Sequence, residues 1–442
     1  MKEKSIKKNI IYNILFQFFN IGFPLIMTPY VSRVLGTDGV GIHNYTYSLV
    51  QYFIIAGALG TSIYGNRQIA YTRDDKKVMS KNFWSIFSMK AIATMISLVV
   101  YLAVYWNRED YLVAYRLQVI CIIASLLDIS WLFMGLEEFK KTITRSMMIK
   151  ILMLLLVFCF IRKEEDIYLY ILFNGCSLLL SNLILWIYLP KTVNITPIGL
   201  KDITAHLKPS IMLFIPQIAV QVYVLLDKTF LGALSTMEQV ALYTQSEKLI
   251  KAGLSVVSAV GTAMLPRMSN IFAKGDKEKM NGYLNLTMRG LGIIGIGMSV
   301  GMMGITPEFA QWFLGSKYIG AERLMIILAP IIVFMALSNI MGVQYLIPSN
   351  RTNEYTIAVT MGAVLNVVFN VLLIPKVAAV GACVSTVVAE GSVMVIEMFW
   401  LRREIAWKDL SKELGKALVA AAVMLGVCRV IGSHMGIGVV TT

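Results

Sequence analysis

The sequence predicts an all-α polytopic membrane protein, and three observations carry that expectation. The chain is 57% hydrophobic and only 15% charged, with a mean hydropathy of +0.69, far more apolar surface than a soluble core of this size needs to bury. Apolar runs close to 20 residues recur along all 442 residues, each long enough to cross about 30 Å of hydrocarbon as a helix rising about 1.5 Å per residue. The chain also repeats itself. Thr28 to Gln51, TPYVSRVLGTDGVGIHNYTYSLVQ, is echoed by Asp227 to Gln245, DKTFLGALSTMEQVALYTQ, so that Leu35-Gly36 matches Leu231-Gly232 and Val40-Gly41-Ile42 matches Val240-Ala241-Leu242. Gly60-Thr61 matches Gly261-Thr262 and Arg67 matches Arg267. A repeat of this length points to two related halves.

Thirteen spans are expected in chain order, near 10–32, 42–65, 83–106, 115–136, 146–161, 167–190, 209–231, 239–265, 283–305, 323–347, 355–374, 378–401 and 414–432. The opening MKEKSIKKN has the basic character of a signal peptide. The run behind it exceeds a signal core and has no clear small-x-small cleavage site, so it is expected to stay attached as the first helix. Between spans 1 and 2 the chain turns through Gly36, Asp38, Gly39 and Gly41. Six helices separate the two echoed corners, an even number, so both halves enter the membrane from the same side and the repeats are parallel. The segment from Lys191 to Pro209, with Pro197, Gly199 and Pro209, is the natural seam. The expected organisation is a six-helix lobe over 1–190, a cytoplasmic linker over 191–208, a second six-helix lobe over 209–402, and an additional transmembrane segment, whole or incomplete, over 403–442. The final MGIGVVTT is too short to cross again.

With a cytoplasmic N-terminus, 26 of the 40 Lys and Arg fall in or beside cytoplasmic segments and 10 in outer ones. That asymmetry sets the orientation and explains much of the +14 charge without a nucleic-acid partner. An added role for the basic loops in binding anionic lipid head groups stays open. The five cysteines are scattered through apolar runs with no zinc or disulfide spacing, and His43, His206 and His434 flank no metal-ligand partners. No Walker-type phosphate loop is present. Nothing here composes an enzyme site or calls for a cofactor.

Polar groups inside spans are the informative residues. Asn13, Gln17, Asn20 and Pro24 stack on one face of span 1, and Gln217, Gln221 and Lys228 on one face of span 7. Such a stripe either joins helices or lines a wet cavity, and its presence on the first helix of each half favours a shared central cavity. Charges in spans cost about 2.5 to 3.5 kcal/mol at mid-bilayer. Arg33 and Lys228 lie near outer ends and can snorkel; Glu247 and Lys251, four apart, can pair, with Lys248 off their face. Asp128, Asp227, Glu390 and Glu397 are the acids open to a coupling cation or proton.

The segments LDISWLFMGLEEFKKTITR (Leu127 to Arg145), YVSRVLGTDGVGIHNYTYSLVQYF, LLDKTFLGALSTMEQVALYTQSEKLIK and QYLIPSNR (Gln344 to Arg351) together resemble the oligosaccharide-unit flippases of bacterial polysaccharide biosynthesis. These belong with the multidrug/oligosaccharidyl-lipid/polysaccharide exporters. The resemblance implies two six-helix lobes in a V around a central cavity, with one or two further C-terminal helices. It implies alternating access that carries a sugar repeat unit on undecaprenyl pyrophosphate across the plasma membrane for capsule, O-antigen or exopolysaccharide. Glycosyltransferases and a polysaccharide polymerase are the implied partners, and proton or sodium coupling is open. In that setting Arg33, Lys228, Lys248 and Lys251 supply charge for the pyrophosphate, and Asn13, Gln17, Asn20, Gln217 and Gln221 a hydrogen-bonding wall. Tyr45, Tyr47 and Tyr52 either stack on sugar faces or pack between helices. Gly36, Asp38, Gly41 and Gly232 mark the two outer corners as a gate. The alternatives are a cation-coupled multidrug exporter, a peptidoglycan-precursor flippase and, in the enzyme class, a membrane polysaccharide polymerase.

Overall fold

The computed structural model describes residues 6–435, without the side chains of 6–18, 20–21, 215–217, 219–220, 222–223, 255–267, 269–270, 273 and 433–435. Among the described residues there is no strand. The chain divides into two compact units, Met1–Leu225 and Leu226–Thr442. The expected MGIGVVTT tail, from Gly436 on, and the echoed Gly261, Thr262 and Arg267 side chains lie outside the described residues.

The first unit begins with α1 (Ile6–Ala58), which is two helices joined at Gly36, where φ is 66° and ψ is −171°. That conformation is open to glycine without a Cβ penalty, and it fixes the first corner where the sequence placed it. After α1 come α2 (Thr61–Thr72), α3 (Lys76–Tyr105), α4 (Leu112–Leu126), α5 (Ser130–Gly135), α6 (Phe139–Phe160), α7 (Ile167–Thr192) and α8 (Leu200–Leu234). Asp75 starts α3 by accepting from the Lys77 and Val78 amides, the usual way to satisfy helix-end donors. One core gathers Tyr64, Ile69, Phe83, Trp131, Phe133 and Leu185, with the Phe83 and Trp131 rings stacked at 5.4 Å. A second, around Val50, Tyr101, Cys121 and Ile122, takes Tyr47 and Phe53 at its edge.

The second unit holds the end of α8, then α9 (Met237–Ala273), α10 (Lys277–Leu314), α11 (Ala321–Leu328), α12 (Ile331–Ser338), a π-helix over Asn339–Leu346, α13 (Thr352–Trp400) and α14 (Trp407–Met435). Its main core runs from Met268 and Met280 through Met341 and Tyr345 to Leu401 and Leu410. The motif Gln344 to Arg351 closes this end. The Arg351 guanidinium donates to Glu354 at 2.8 Å, Glu404 at 2.9 Å and the Trp400 carbonyl at 3.1 Å, a planar fork meeting three acceptors.

Nine helices among the described residues are long and apolar enough to cross a membrane. Two of them, Gly22–Thr72 and Thr352–Trp400, have 51 and 49 residues, far beyond the roughly 20 that one crossing needs, and each is broken inside: at Gly36 and at Val377–Ala378. Helix therefore covers every expected span, but several boundaries differ. Span 42–65 is cut at Leu59 and Gly60, where φ is 46° and 71°. Span 115–136 is cut between α4 and α5, where the Asp128 carboxylate accepts the Ser130 amide at 2.8 Å. Span 323–347 is α11, α12 and the π-helix in succession. The second echoed corner falls at Ser235–Thr236, beyond Gly232, which stays helical in α8. The expected seam is shorter than the sequence suggested, because α7 runs to Thr192 and α8 starts at Leu200.

The early start of α8 ties it to the break after α1. Ser210 Oγ donates to the Leu59 carbonyl at 2.6 Å, and a Cβ on Gly60 would stand 2.9 Å from Phe214 Cβ. One turn earlier, His206 Nδ1 meets the Tyr64 hydroxyl at 2.7 Å. His206 lies ahead of the expected span 209–231, and burial pushes its pKa below 6.5, opposed in part by Asp202. The Asp202 carboxylate is held below its ordinary range by hydrogen bonds from Lys81 and the Gly199 amide.

Candidate functional site

The site lies in the second unit, where α8, α9 and α13 converge on Asp227. Sequence spacing accounts for the faces. Asp227 and Lys228 are adjacent on α8; Tyr243, Glu247 and Lys251 recur every four residues on α9; Asn366 and Asn370 are four apart on α13, and residues at that spacing share one face of a helix. The break at Val377–Ala378 divides α13 between the asparagines and Thr386, and Ala378 has φ 47°. Gln239 of α9 accepts the freed Ala379 amide at 3.2 Å. This supplies a partner for backbone that the break leaves without one, as non-helical backbone at membrane depth requires.

Four side chains donate to the Asp227 carboxylate, which is 3% exposed. Oδ1 accepts from Asn366 Nδ2 at 2.9 Å and Asn370 Nδ2 at 2.6 Å. Oδ2 accepts from the Tyr243 hydroxyl at 2.5 Å and Thr386 Oγ1 at 2.9 Å. The donors also touch one another: Asn370 Nδ2 meets Asn366 Oδ1 at 3.0 Å, and Tyr243 and Thr386 hydroxyls are 3.0 Å apart. Tyr243, Asn366 and Asn370 are fully buried. One carboxylate ringed by amide and hydroxyl groups is oxygen-rich once the amides turn, since amide orientation is set by the network around it. That donor set fits a hard monovalent cation or an exchangeable proton. Among the described residues no group of three or more His, Cys, Asp or Glu comes together, so the negative charge here comes from Asp227 itself.

A second cluster stands beside the first. Glu247, 4% exposed, accepts Lys228 Nζ on Oε2 at 3.2 Å and Lys251 Nζ on Oε1 at 2.6 Å. Lys248 is exposed on α9. Each ammonium carries three donors, so pairing with one carboxylate leaves both lysines able to bind a further anion.

The other sequence candidates are dispersed. The side chains of Asn13, Gln17, Asn20 and Gln217 lie outside the described residues. Gln221 is exposed on α8, and Arg33 and Asp38 are exposed on either side of Gly36 while Gly41 is buried. Asp128 caps the α4–α5 break and its carbonyl takes the buried Lys90 Nζ at 2.7 Å. Glu390 is half-buried on α13. Glu397 is fully buried, with neither oxygen in hydrogen-bonding geometry, close to the Ser338 hydroxyl and packed on Gly342 of the π-helix. Tyr45 meets Tyr111 edge-on, and Tyr47, stacked on His43 one turn earlier in α1, packs at the edge of the core around Tyr101, Cys121 and Ile122. Sequence reasoning missed Tyr243, Asn366, Asn370 and Thr386. The available signal was two asparagines four apart inside an apolar run.

A family model described as a polysaccharide biosynthesis protein matches residues 6–272. The chain is 21% identical over 403 residues to a protein of Escherichia coli (strain K12) to which O-antigen transport is attributed, covering 90% of this chain and 97% of that one. A Shigella dysenteriae protein with the same attribution is 24% identical over 407 residues, covering 90% and 99%. Among solved structures, the lipid II flippase MurJ in an inward closed conformation aligns with a TM-score of 0.78 at 12% identity, over 98% of this chain and 94% of that one. An inward-facing multidrug resistance MATE family transporter of the MOP superfamily aligns with a TM-score of 0.62 at 14% identity, over 90% and 99%. These structural likenesses establish the fold.

Proposed function

Because the chain belongs to the polysaccharide biosynthesis protein family, we propose that it is a flippase. In this reading it carries an oligosaccharide repeat unit on undecaprenyl pyrophosphate across the bacterial plasma membrane, for capsule, O-antigen or exopolysaccharide. The N-terminus is cytoplasmic, and the lobes 1–190 and 209–402 move against each other in alternating access. Glycosyltransferases supply the substrate and a polymerase consumes it.

The observation that carries the reading is the adjacency of the two clusters. Asp227 and Lys228 are chain neighbours; one is ringed by four donors, the other shares Glu247 with Lys251. The lysines suit an anionic headgroup through charge-assisted hydrogen bonds. Asp227 suits the coupling cation or proton, and ionisable groups inside a membrane mark such pathways. Occupancy of one cluster biases the other because both hang on α8 and α9, and such coupling is reciprocal for binding.

The test is a flipping assay in proteoliposomes with defined lipid-linked oligosaccharides, run with and without a sodium or proton gradient. Transport of the diphosphate-linked repeat unit, faster with one of the gradients, is expected. Movement of small cationic drugs with no movement of the lipid-linked sugar would replace this reading with the multidrug one.

A further inference from the structure

Glu247 is the least exposed member of its cluster: its side chain is 6% exposed, against 22% for Lys228 and 32% for Lys251. The carboxylate is therefore the most enclosed of the three groups, and each ammonium keeps donors beyond the one it gives Glu247. The three together carry one net positive charge, and without Glu247 they would carry two.

The sequence repeat shows that helix packing does not demand this arrangement. The offset that pairs Val40 with Val240 pairs His43 with Tyr243, Tyr47 with Glu247 and Gln51 with Lys251. In the first unit the Tyr47 position is filled by a ring stacked on His43 at 5.6 Å. The corresponding α9 face in the second unit holds the buried Glu247 carboxylate and Lys251 instead, and Lys228 reaches that carboxylate from α8. A buried ion pair is weak support for stability, so its presence asks for another account.

We infer that Glu247 is a resident counter-anion that sets the affinity of the lysine pair for a diphosphate, an inference that rests on the headgroup reading above. An incoming phosphoryl oxygen competes with Glu247 for the Lys228 and Lys251 donors, and the carboxylate repels it. A monoanion gains too little against that competition. A diphosphate, with two charged groups side by side, engages both ammoniums at once. The same repulsion keeps the bound diphosphate from being held so tightly that it is not released. Glu247 thus acts as a specificity-determining and positioning residue, working through the two lysines.

The experiment uses the full-length protein purified in detergent, with inorganic pyrophosphate and inorganic phosphate as probes in calorimetric titration. Glu247→Gln keeps the shape and removes the charge. It is expected to bind pyrophosphate about tenfold more tightly and to narrow the preference over phosphate, with the flipping assay showing lower KM and lower kcat. Unchanged or weaker pyrophosphate binding by E247Q overturns the inference, because a purely structural role lowers the melting temperature without tightening an anion. Should E247Q not fold, Glu247→Asp carries the test. Its shortened carboxylate reaches only one ammonium, so binding tightens about threefold, and no tightening overturns the inference. The wild type and a Lys228→Met/Lys251→Met variant separate the underlying reading. If both bind pyrophosphate equally, the lysines are not the headgroup site and both ideas fall; if only the wild type binds, the headgroup reading stands and the Glu247 arms decide.

Discussion

The Tyr243 hydroxyl donates to Asp227 Oδ2 at 2.5 Å, reaching from α9 to α8 within a buried cluster. A buried carboxylate of this kind depends on its donors, because each one lost leaves charge without compensation. Tyr243→Phe removes one donor and keeps the ring. The expected cost is about 1.5 to 3 kcal/mol, read as a lower melting temperature of the purified protein. A variant that melts with the wild type would show that Thr386, Asn366 and Asn370 suffice.

Asp227→Asn addresses coupling. The substitution keeps size and removes the charge, while Asn366 and Asn370 can still donate to an amide oxygen in the Oδ1 place and the Tyr243 and Thr386 hydroxyls can accept from an amide nitrogen in the Oδ2 place. Transport in proteoliposomes is expected to lose its response to the coupling gradient while pyrophosphate titration of the neighbouring lysines stays measurable. Full gradient response in this variant would remove Asp227 as the coupling group.

Apolar run length made the helices legible, since every expected span is helical, and in-span charge singled out Asp227 and Lys228. The partners were hidden because they are tertiary. Asn366, Asn370 and Thr386 meet Asp227 from 139 to 159 residues away; the span boundary expected between 374 and 378 marks where α13 breaks, but nothing local shows which side chains that break brings together. The spacing of Glu247 and Lys251 showed their pairing, yet Lys228 reaches the same carboxylate from another helix. Asp128 shows the converse difficulty. An acid in an apolar run is open to a coupling role, and its oxygen also holds a backbone amide at a helix break, a contact that composition does not reveal. Breaks inside a single expected span were the least legible feature: Leu59 has φ 46°, in a region that no leucine advertises.

The break beside Leu59 is testable through Gly60. Its φ of 71° lies in the left-handed region, where a Cβ costs about 1 to 2 kcal/mol. A methyl there would also stand 2.9 Å from Phe214 Cβ and 3.2 Å from its Cα, so α8 would have to shift and weaken the bond from Ser210 to the Leu59 carbonyl. Gly60→Ala is expected to lower the melting temperature by more than the left-handed penalty explains. Gly275→Ala serves as the control, with φ 74° and open space around it, and equal losses in both would show that α8 does not pack on this break as described.

The His206–Tyr64 pair makes a prediction about pH. Neutral imidazole accepts the Tyr64 hydroxyl proton at Nδ1, 2.7 Å away; imidazolium, with both nitrogens protonated, cannot accept it. Burial holds the folded-state pKa below 6.5, and Asp202 opposes the shift without reversing it. A depressed folded pKa means that the unfolded chain takes up a proton first as pH falls. The contribution of His206 to stability is therefore fully present above pH 6.5 and is lost as pH falls through the folded pKa. Arg67, over the Tyr64 ring, and Lys81, paired with Asp202 at 2.7 Å, are the cations facing this corner. Melting temperatures of the wild type and His206→Gln, compared at about pH 7.5 and about pH 5.5, isolate the effect, because titrations elsewhere cancel in the difference. The wild type is expected to lose more stability on acidification than His206→Gln, and parallel losses would mean that His206 is protonated in the folded protein without penalty.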